Sequence, residues 1–377
     1  MSSDNGASDR HPLPLLVAEA SRQLDICNAC RYCEGLCAVF PALERRATLD
    51  TGDVSQLANL CHDCRACFDA CMYSSPHEFG LDVPRALSAV RAADYERHVW
   101  PARVPRALSG RPGTVLLGLV SVVIVLALAV AHAGWSGLVR SSGSAASPYQ
   151  LVPYPALVTL MALAALYAIV IMGLAARAYW RAVSAAGAGR VTAGAIARAA
   201  WYAATLRYLR GGGVECYYPD DGQPSPGRRH LHAMVAYGFG LCLASTVAAG
   251  IEQDLIGIAP PYPWLSVPVL SGTIGGIALL IGCLCLLRLK ARSSAVTSFA
   301  EMTVKDYGLL TALAFLAASG LAVLAARDTA AYGLILLIHL AAVVEAFAMT
   351  PYSKFVHVVF RFAALVRDNL ERADGGA

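Results

Sequence analysis

Six long stretches of this chain carry no charge or almost none. Thr114–Ala133, Leu151–Ala176, His232–Gly250, Val267–Leu287 and Tyr307–Ala326 are each apolar over about the 20 residues that a helix needs to cross a bilayer core. A sixth, Ala331–Thr350, is apolar apart from His339 and Glu345. One such run alone fits a buried helix of a soluble core; six in succession predict a six-helix transmembrane bundle. Before Thr114 the pattern changes: residues 1–110 are polar and rich in cysteine. The chain therefore divides into an N-terminal domain, 1–110, and an integral membrane domain, 111–377. Composition agrees, with 57% hydrophobic and 15% charged residues in 377, against about 25% charged in an average soluble domain.

The basic residues orient the bundle. Eight arginines lie in the long segment 177–229 between spans two and three, from Arg177 to Arg229. Arg288, Lys290, Arg292 and Lys305 separate spans four and five, and Lys354, Arg361 and Arg367 follow span six. The alternate loops hold little beyond Arg140 and Arg327. Positive charge stays on the cytoplasmic side, so both termini and the loop 177–229 are expected there, in an inner-membrane protein. Within that loop, Val191–Arg210 reads as a basic amphipathic helix, lying on headgroups or forming a dock for a partner, and Gly211–Gly213 ends it. The N-terminal stretch lacks the basic-then-apolar order of a signal peptide.

Eight of the twelve cysteines form two copies of one spacing, C-x2-C-x2-C-x3-C: Cys27, Cys30, Cys33 and Cys37, then Cys61, Cys64, Cys67 and Cys71. This run supplies the thiolates of 4Fe–4S clusters, and the fourth cysteine of each run serves the other cluster. The expected sets are Cys27, Cys30 and Cys33 with Cys71, and Cys61, Cys64 and Cys67 with Cys37. Zinc sites instead repeat separated C-x2-C pairs, and a disulfide scaffold does not fit the reducing compartment in which such thiols stay free. Leucines and alanines between the runs, with Thr51 or Asp53 as N-cap before Val54–Leu60, predict a helical two-cluster, ferredoxin-like domain. His62, beside a complete cysteine set, is expected to be exposed or to donate to a cluster sulfur.

Histidines inside a membrane are costly and mark function. His339 lies in the sixth span, and His357 follows 18 residues later. On one continuous helix that is five turns, which puts both imidazoles on one face, about 27 Å apart. His232, at the start of span three, comes level with His357, and the two make the candidate pair for a b-type haem. His230 points to another face. A second haem at His339 needs a partner near the end of span three, where Gly250-Ile251-Glu252-Gln253-Asp254 has none. His132 on span one is the substitute.

The two cysteine runs, CNACRYCEGLC and CHDCRACFDAC, are followed by RRHLHAMVAYGFGLCLAST and PYSKFVHVVFRFAALVRD. In that order they resemble the tricarballylate- and citrate-utilisation protein B family over nearly the whole chain. The resemblance implies two 4Fe–4S clusters and b-type haem, electrons accepted from a separate FAD-dependent dehydrogenase, and delivery to membrane quinone. A histidine near the end of span three is common in that family and is absent here, which leaves one haem expected. A related module serves cobalamin biosynthesis.

The residues carry no strand–GxGxxG–helix unit for flavin or nicotinamide, no nucleophile-and-base set and no sign of nucleic acid. An oxidoreductase subunit is expected rather than a stand-alone enzyme. A membrane disulfide reductase, the competing activity, needs accessible paired thiols, and of Cys216, Cys242, Cys283 and Cys285 only Cys216 lies outside a span. A redox sensor would leave the membrane histidines without a task.

Overall fold

The computed structural model describes residues 12–101, 104, 111–139, 147–184, 190–217, 223–294 and 296–374. Among them it is helical, with no strand beyond an isolated antiparallel bridge between Cys216 and Ser225. The first eleven residues and Arg140 lie outside the described residues.

The N-terminal domain is built from α1 (Leu13–Cys30), α2 (Val39–Leu43), α3 (Thr51–Leu60), α4 (Ala66–Asp69) and α5 (Val83–Arg97). Cys27 and Cys30 occupy the last turn of α1; Cys61 follows α3 directly, and Cys67 lies in α4. The cap of α3 is Asp50, not Thr51 or Asp53. Its carboxylate accepts from the Asp53 N–H at 2.7 Å, while Asp53 accepts from the Asp50 N–H at 3.3 Å. This reciprocal box satisfies two otherwise unpaired donors, which neither Thr51 nor Asp53 alone could do. Leu24, Leu43, Leu57 and Leu87 are fully buried between these helices.

The six spans are α6 (Arg111–Val139), α7 (Tyr154–Val183), α9 (Gly227–Ile251), α10 (Val267–Arg292), α11 (Ala300–Ala325) and α12 (Tyr332–Met349). Each contains most or all of its expected run and most extend beyond it, because helix continues into the polar margins. Neighbours pack in the order α9–α10–α11–α12, with α12 also against α6 and α7. In lipid there is little hydrophobic drive between helices, so close backbone approach matters. A Cβ on Gly238 would stand 2.7 Å from the Leu279 nitrogen, and one on Gly275 would stand 2.9 Å from the Cys242 nitrogen. These glycines let α9 and α10 touch backbone to backbone.

Span six does not continue as one helix to His357. α12 ends at Met349, two short 3-10 turns cover Thr350–Tyr352 and Lys354–Val356, and α13 runs from His357 to Asp374. Pro351 has no N–H to donate and its ring collides with the preceding turn; Ser353 then accepts the Phe355 N–H and starts a new direction. The shared face and the five-turn spacing of His339 and His357 therefore do not hold.

Helix α13 is amphipathic and packs against α3, α7 and α8 (Ala193–Ala204). Ala364, Leu365, Val366 and Leu370 join the same buried cluster as Leu24 and Leu57, and Phe360 stacks on Tyr179 at 4.7 Å. The last helix thus completes the core of the first domain. Ion pairs reinforce it: Asp53 accepts from Arg46 at 2.9 Å and from Arg367 at 2.7 Å, and Glu371 accepts from both arginines. Helix α8 turns Ala195 and Ala199 onto this core and leaves Ile196 and Trp201 exposed.

Candidate functional site

The fold sorts the eight cysteines into two groups. Cys27, Cys30, Cys33, Cys67 and Cys71 line one cavity, walled by Phe40, Leu81 and Val83. Burial pushes the Cys27 thiol up to about 12, and the neighbouring thiols of Cys33, Cys71 and Cys30 add to the shift. Cys37 does not belong to this group. Its thiol is driven well up by burial and then by Cys64 and Cys61, across the sequence gap. Cys67 lies between the groups and feels Cys64, Cys37, Cys61 and Cys33. The fourth cysteine of each run is thus directed to the other run's triad. Backbone N–H groups point at two of the sulfurs, Val39 at Cys37 and Asp63 at Cys61, each at 3.4 Å. Among the described residues no three ligand groups converge on a single ion. A 4Fe–4S cube does not require that, because its thiolates stand around a core of several atoms. The donor set, the enclosing apolar wall and the N–H groups aimed at sulfur fit two such clusters.

Buried cations gather round the second group. Arg91 Nη1 donates to the carbonyls of Ala58 (2.9 Å) and Cys61 (2.6 Å). Arg361 donates to Asn59 at 3.1 Å and to Cys61 at 2.5 Å, and Arg228 donates to Asp63. These bonds satisfy the open carbonyls at the end of α3 and place positive charge beside thiolates. His62 is half-buried, and its Nδ1–H donates to the Leu60 carbonyl at 2.8 Å. Burial first, then Arg361, Arg228 and Arg91, holds it well below the usual histidine range. The 207–217 segment closes the site: Tyr217 N–H donates to the Cys64 carbonyl at 2.9 Å. A Cβ on Gly211, whose φ is +54°, would meet the Cys64 sulfur at 3.5 Å.

The histidines fall into two places. His357 opens α13, and the structure brings it to His232 on α9: burial, then Arg361, Lys354 and His232 itself, lowers His357 to about 3. Its Nδ1–H donates to the Lys354 carbonyl at 2.6 Å. That bond fixes the tautomer and leaves the Nε2 lone pair for a metal, the usual arrangement behind an imidazole ligand. The imidazoles of His232 and His357, brought near each other from different helices, are the residues that would hold a b-type haem. His230 is exposed beside Arg229.

His339 stands apart. Its Nδ1 bonds the Ser319 hydroxyl at 3.0 Å, and its ring lies over Gly320, where a Cβ would meet Cε1 at 3.0 Å. It lines a large cavity between the spans that no second histidine lines. The proposed substitute, His132, is exposed and is not part of that lining. Cys216, the thiol considered for disulfide chemistry, is 1% exposed and packs on Cys64 and Ala66, which removes the access that such chemistry needs.

Residues 108–377 match the family described as Citrate utilization protein B, and residues 20–97 match the Citrate utilization protein B Fer4-like domain. The Citrate utilization protein B of Escherichia coli is 38% identical over 360 residues, covering 95% of this chain and 93% of its own length. The chain belongs to the citrate utilization protein B family. No solved structure matches it. Family membership makes the N-terminal domain a Fer4-like, iron–sulfur, electron-carrying one, joined to a domain with six helices apolar enough to cross a membrane.

Sequence reasoning missed the arginines. Arg91 and Arg361 lie on helices with no cysteine, and their partners are carbonyls, which leave no mark in a sequence. The pattern after His357, with apolar Phe360, Ala363, Ala364 and Val366 among Arg361, Arg367 and Asp368, announces an amphipathic helix; nothing in it names the surface that helix covers.

Proposed function

We propose that this member of the citrate utilization protein B family is the membrane electron-transfer subunit of a two-part dehydrogenase, carrying electrons from an FAD-dependent partner through two 4Fe–4S clusters and one b-type haem to membrane quinone. Cys27, Cys30, Cys33 and Cys71 would hold one cluster, Cys61, Cys64, Cys67 and Cys37 the other, and His232 and His357 the haem. These groups supply single-electron chemistry when bound; the chain supplies ligands, spacing and charge. The observation that carries the reading is the meeting of His232 and His357 one helical turn from Arg361, the residue that grips the Cys61 carbonyl. The arginine-rich segment 177–229 supports an inner-membrane protein with the cluster domain and both termini on the cytoplasmic side. The relative's name, Citrate utilization protein B, supports a citrate-type acid as the partner's substrate, and the family resemblance adds tricarballylate as the alternative. Cys216, buried, gives no support to a disulfide reductase.

The test is spectroscopic. The purified protein in detergent should show a b-haem band that reduces on adding the substrate-reduced flavoprotein and reoxidises on adding quinone. A protein with clusters but no haem absorption would overturn the assignment of His232 and His357.

A further inference from the structure

Inside the spans, the carboxyl of Glu345 has no hydrogen-bond or ion-pair partner among the described residues. It lies against α6 where Gly118 leaves room: a Cβ there would stand 3.1 Å from one carboxylate oxygen and 3.3 Å from the other. Ionisable groups in this position are expensive, and their common use is to carry ions or protons. Glu345 lines the large cavity between α6, α7, α9, α10, α11 and α12, whose volume is about 2530 Å3 and whose walls are mainly apolar. That exceeds the roughly 300–1,000 Å3 of an ordinary small-ligand pocket and gives room for a head group with a long hydrocarbon tail.

The cavity has two further properties. Phe239 and Phe355, in contact with ring centroids 5.3 Å apart, line it; Phe355 is two residues before His357, and Phe239 is two turns after His232. Toward the cluster domain, Thr350, Ser353, Glu301 and Lys305 line the same space, and Thr350 lies about 7.5 Å further along the helix axis than Glu345. Residues adjoining the haem-ligand candidates and polar side chains toward the cluster domain therefore line one apolar space that holds one unpaired carboxyl.

We infer that this cavity is the quinone-reducing site and that Glu345 delivers protons to the bound head group. The inference rests on the quinone-acceptor reading above and adds the location and the proton donor. The step takes one quinone, two electrons that the flavin hydroquinone of the partner gives up, and two protons, and forms one quinol. Both carbonyl oxygens become hydroxyls. Glu345 passes on each proton and recovers it along Thr350 and Ser353 from the domain's side.

The experiment uses the full chain with its cofactors in detergent, reduced with dithionite, and follows reoxidation by stopped flow. Decylubiquinone, which needs protons, is compared with ferricyanide, which does not. Glu345→Gln should slow reoxidation by decylubiquinone at least tenfold and leave the ferricyanide rate unchanged; Glu345→Asp, which keeps a carboxyl one methylene shorter, should fall between Gln and wild type. An E345Q protein that decylubiquinone reoxidises at the wild-type rate overturns the proposal. So does one that loses both rates equally. Wild-type protein that decylubiquinone fails to reoxidise, while ferricyanide succeeds, overturns the acceptor reading itself.

Discussion

Arg361 Nη2 donates to the carbonyl oxygen of Cys61 at 2.5 Å, across 300 residues of chain. Four residues earlier on the same helix stands His357. One turn of α13 therefore spans the distance between the backbone of a cluster-ligand candidate and a haem-ligand candidate, and the guanidinium is the only charge on that turn.

Replacing Arg361 by Gln should remove that positive charge from beside the Cys61 loop. The second cluster then becomes harder to reduce, and its midpoint potential falls on the order of tens of millivolts, the scale of one charge at moderate range in a partly polarisable interior. Arg361→Lys should recover most of the fall. A redox titration followed by electron paramagnetic resonance reads both, and equal potentials in all three proteins would show that the charge is not felt.

The crossing of the cysteine sets makes a selective loss possible. Cys37→Ser should deplete the cluster of Cys61, Cys64 and Cys67, although Cys37 belongs to the first run; Cys71→Ser should deplete the other. Iron content should drop by about half in each variant, since each run shares a ligand with its partner. Resonance spectra should then show two different survivors. Uncrossed ligation would exchange the two.

The haem assignment separates the three histidines. His357→Ala and His232→Ala should each abolish the b-type difference spectrum, while His339→Ala should keep it. His339 has Ser319 as its Nδ1 partner and no opposing imidazole in its cavity. Loss of the band in His339→Ala alone would move the haem to the middle of the bundle.

Asp53 ties α13 to the cluster domain through Arg46 and Arg367. Its carboxyl is raised by burial, but Arg46 and then Arg367 outweigh this and leave it below the usual aspartate range. Its contribution to stability is thus present above the unfolded pKa of about 3.9 and is lost as pH falls through the lower folded value. At neutral pH, Asp53→Asn leaves Glu371 as the one carboxylate that Arg46 and Arg367 share, a loss of about 2 kcal/mol, the scale of a charge-assisted hydrogen bond. Limited proteolysis should release α13 fragments faster from the variant, and an unchanged digestion rate would show that the apolar contacts hold α13 unaided.

The spans could be read from sequence because each is a run of about 20 uncharged residues and needs no knowledge of its neighbours. The cysteines could be read because ligand spacing is local. The break after Met349 was half legible: Pro351 marks a place where a helix can stop, but the new direction depends on Ser353 capping the next turn and on Phe360 finding Tyr179. The arginine cage was not legible at all. A guanidinium that bonds backbone carbonyls 30 or 300 residues away leaves no periodicity. Nor does a lone glutamate in a span reveal whether a cation, a hydroxyl or nothing faces it.

Helix α13 fills the core of the cluster domain from the other end of the chain, and this bears on biosynthesis. Leu365 leaves the ribosome about three hundred residues after Leu57, which it helps to bury. At about 5–20 residues per second, the cysteine domain waits between roughly 15 seconds and a minute with one apolar face uncovered while the bundle is threaded into the membrane. Iron delivered during that interval would meet thiols still open to solvent. Iron delivered afterwards would meet a domain already closed by α13, so the time open for loading the cysteines is set by the length of chain between Leu57 and Leu365.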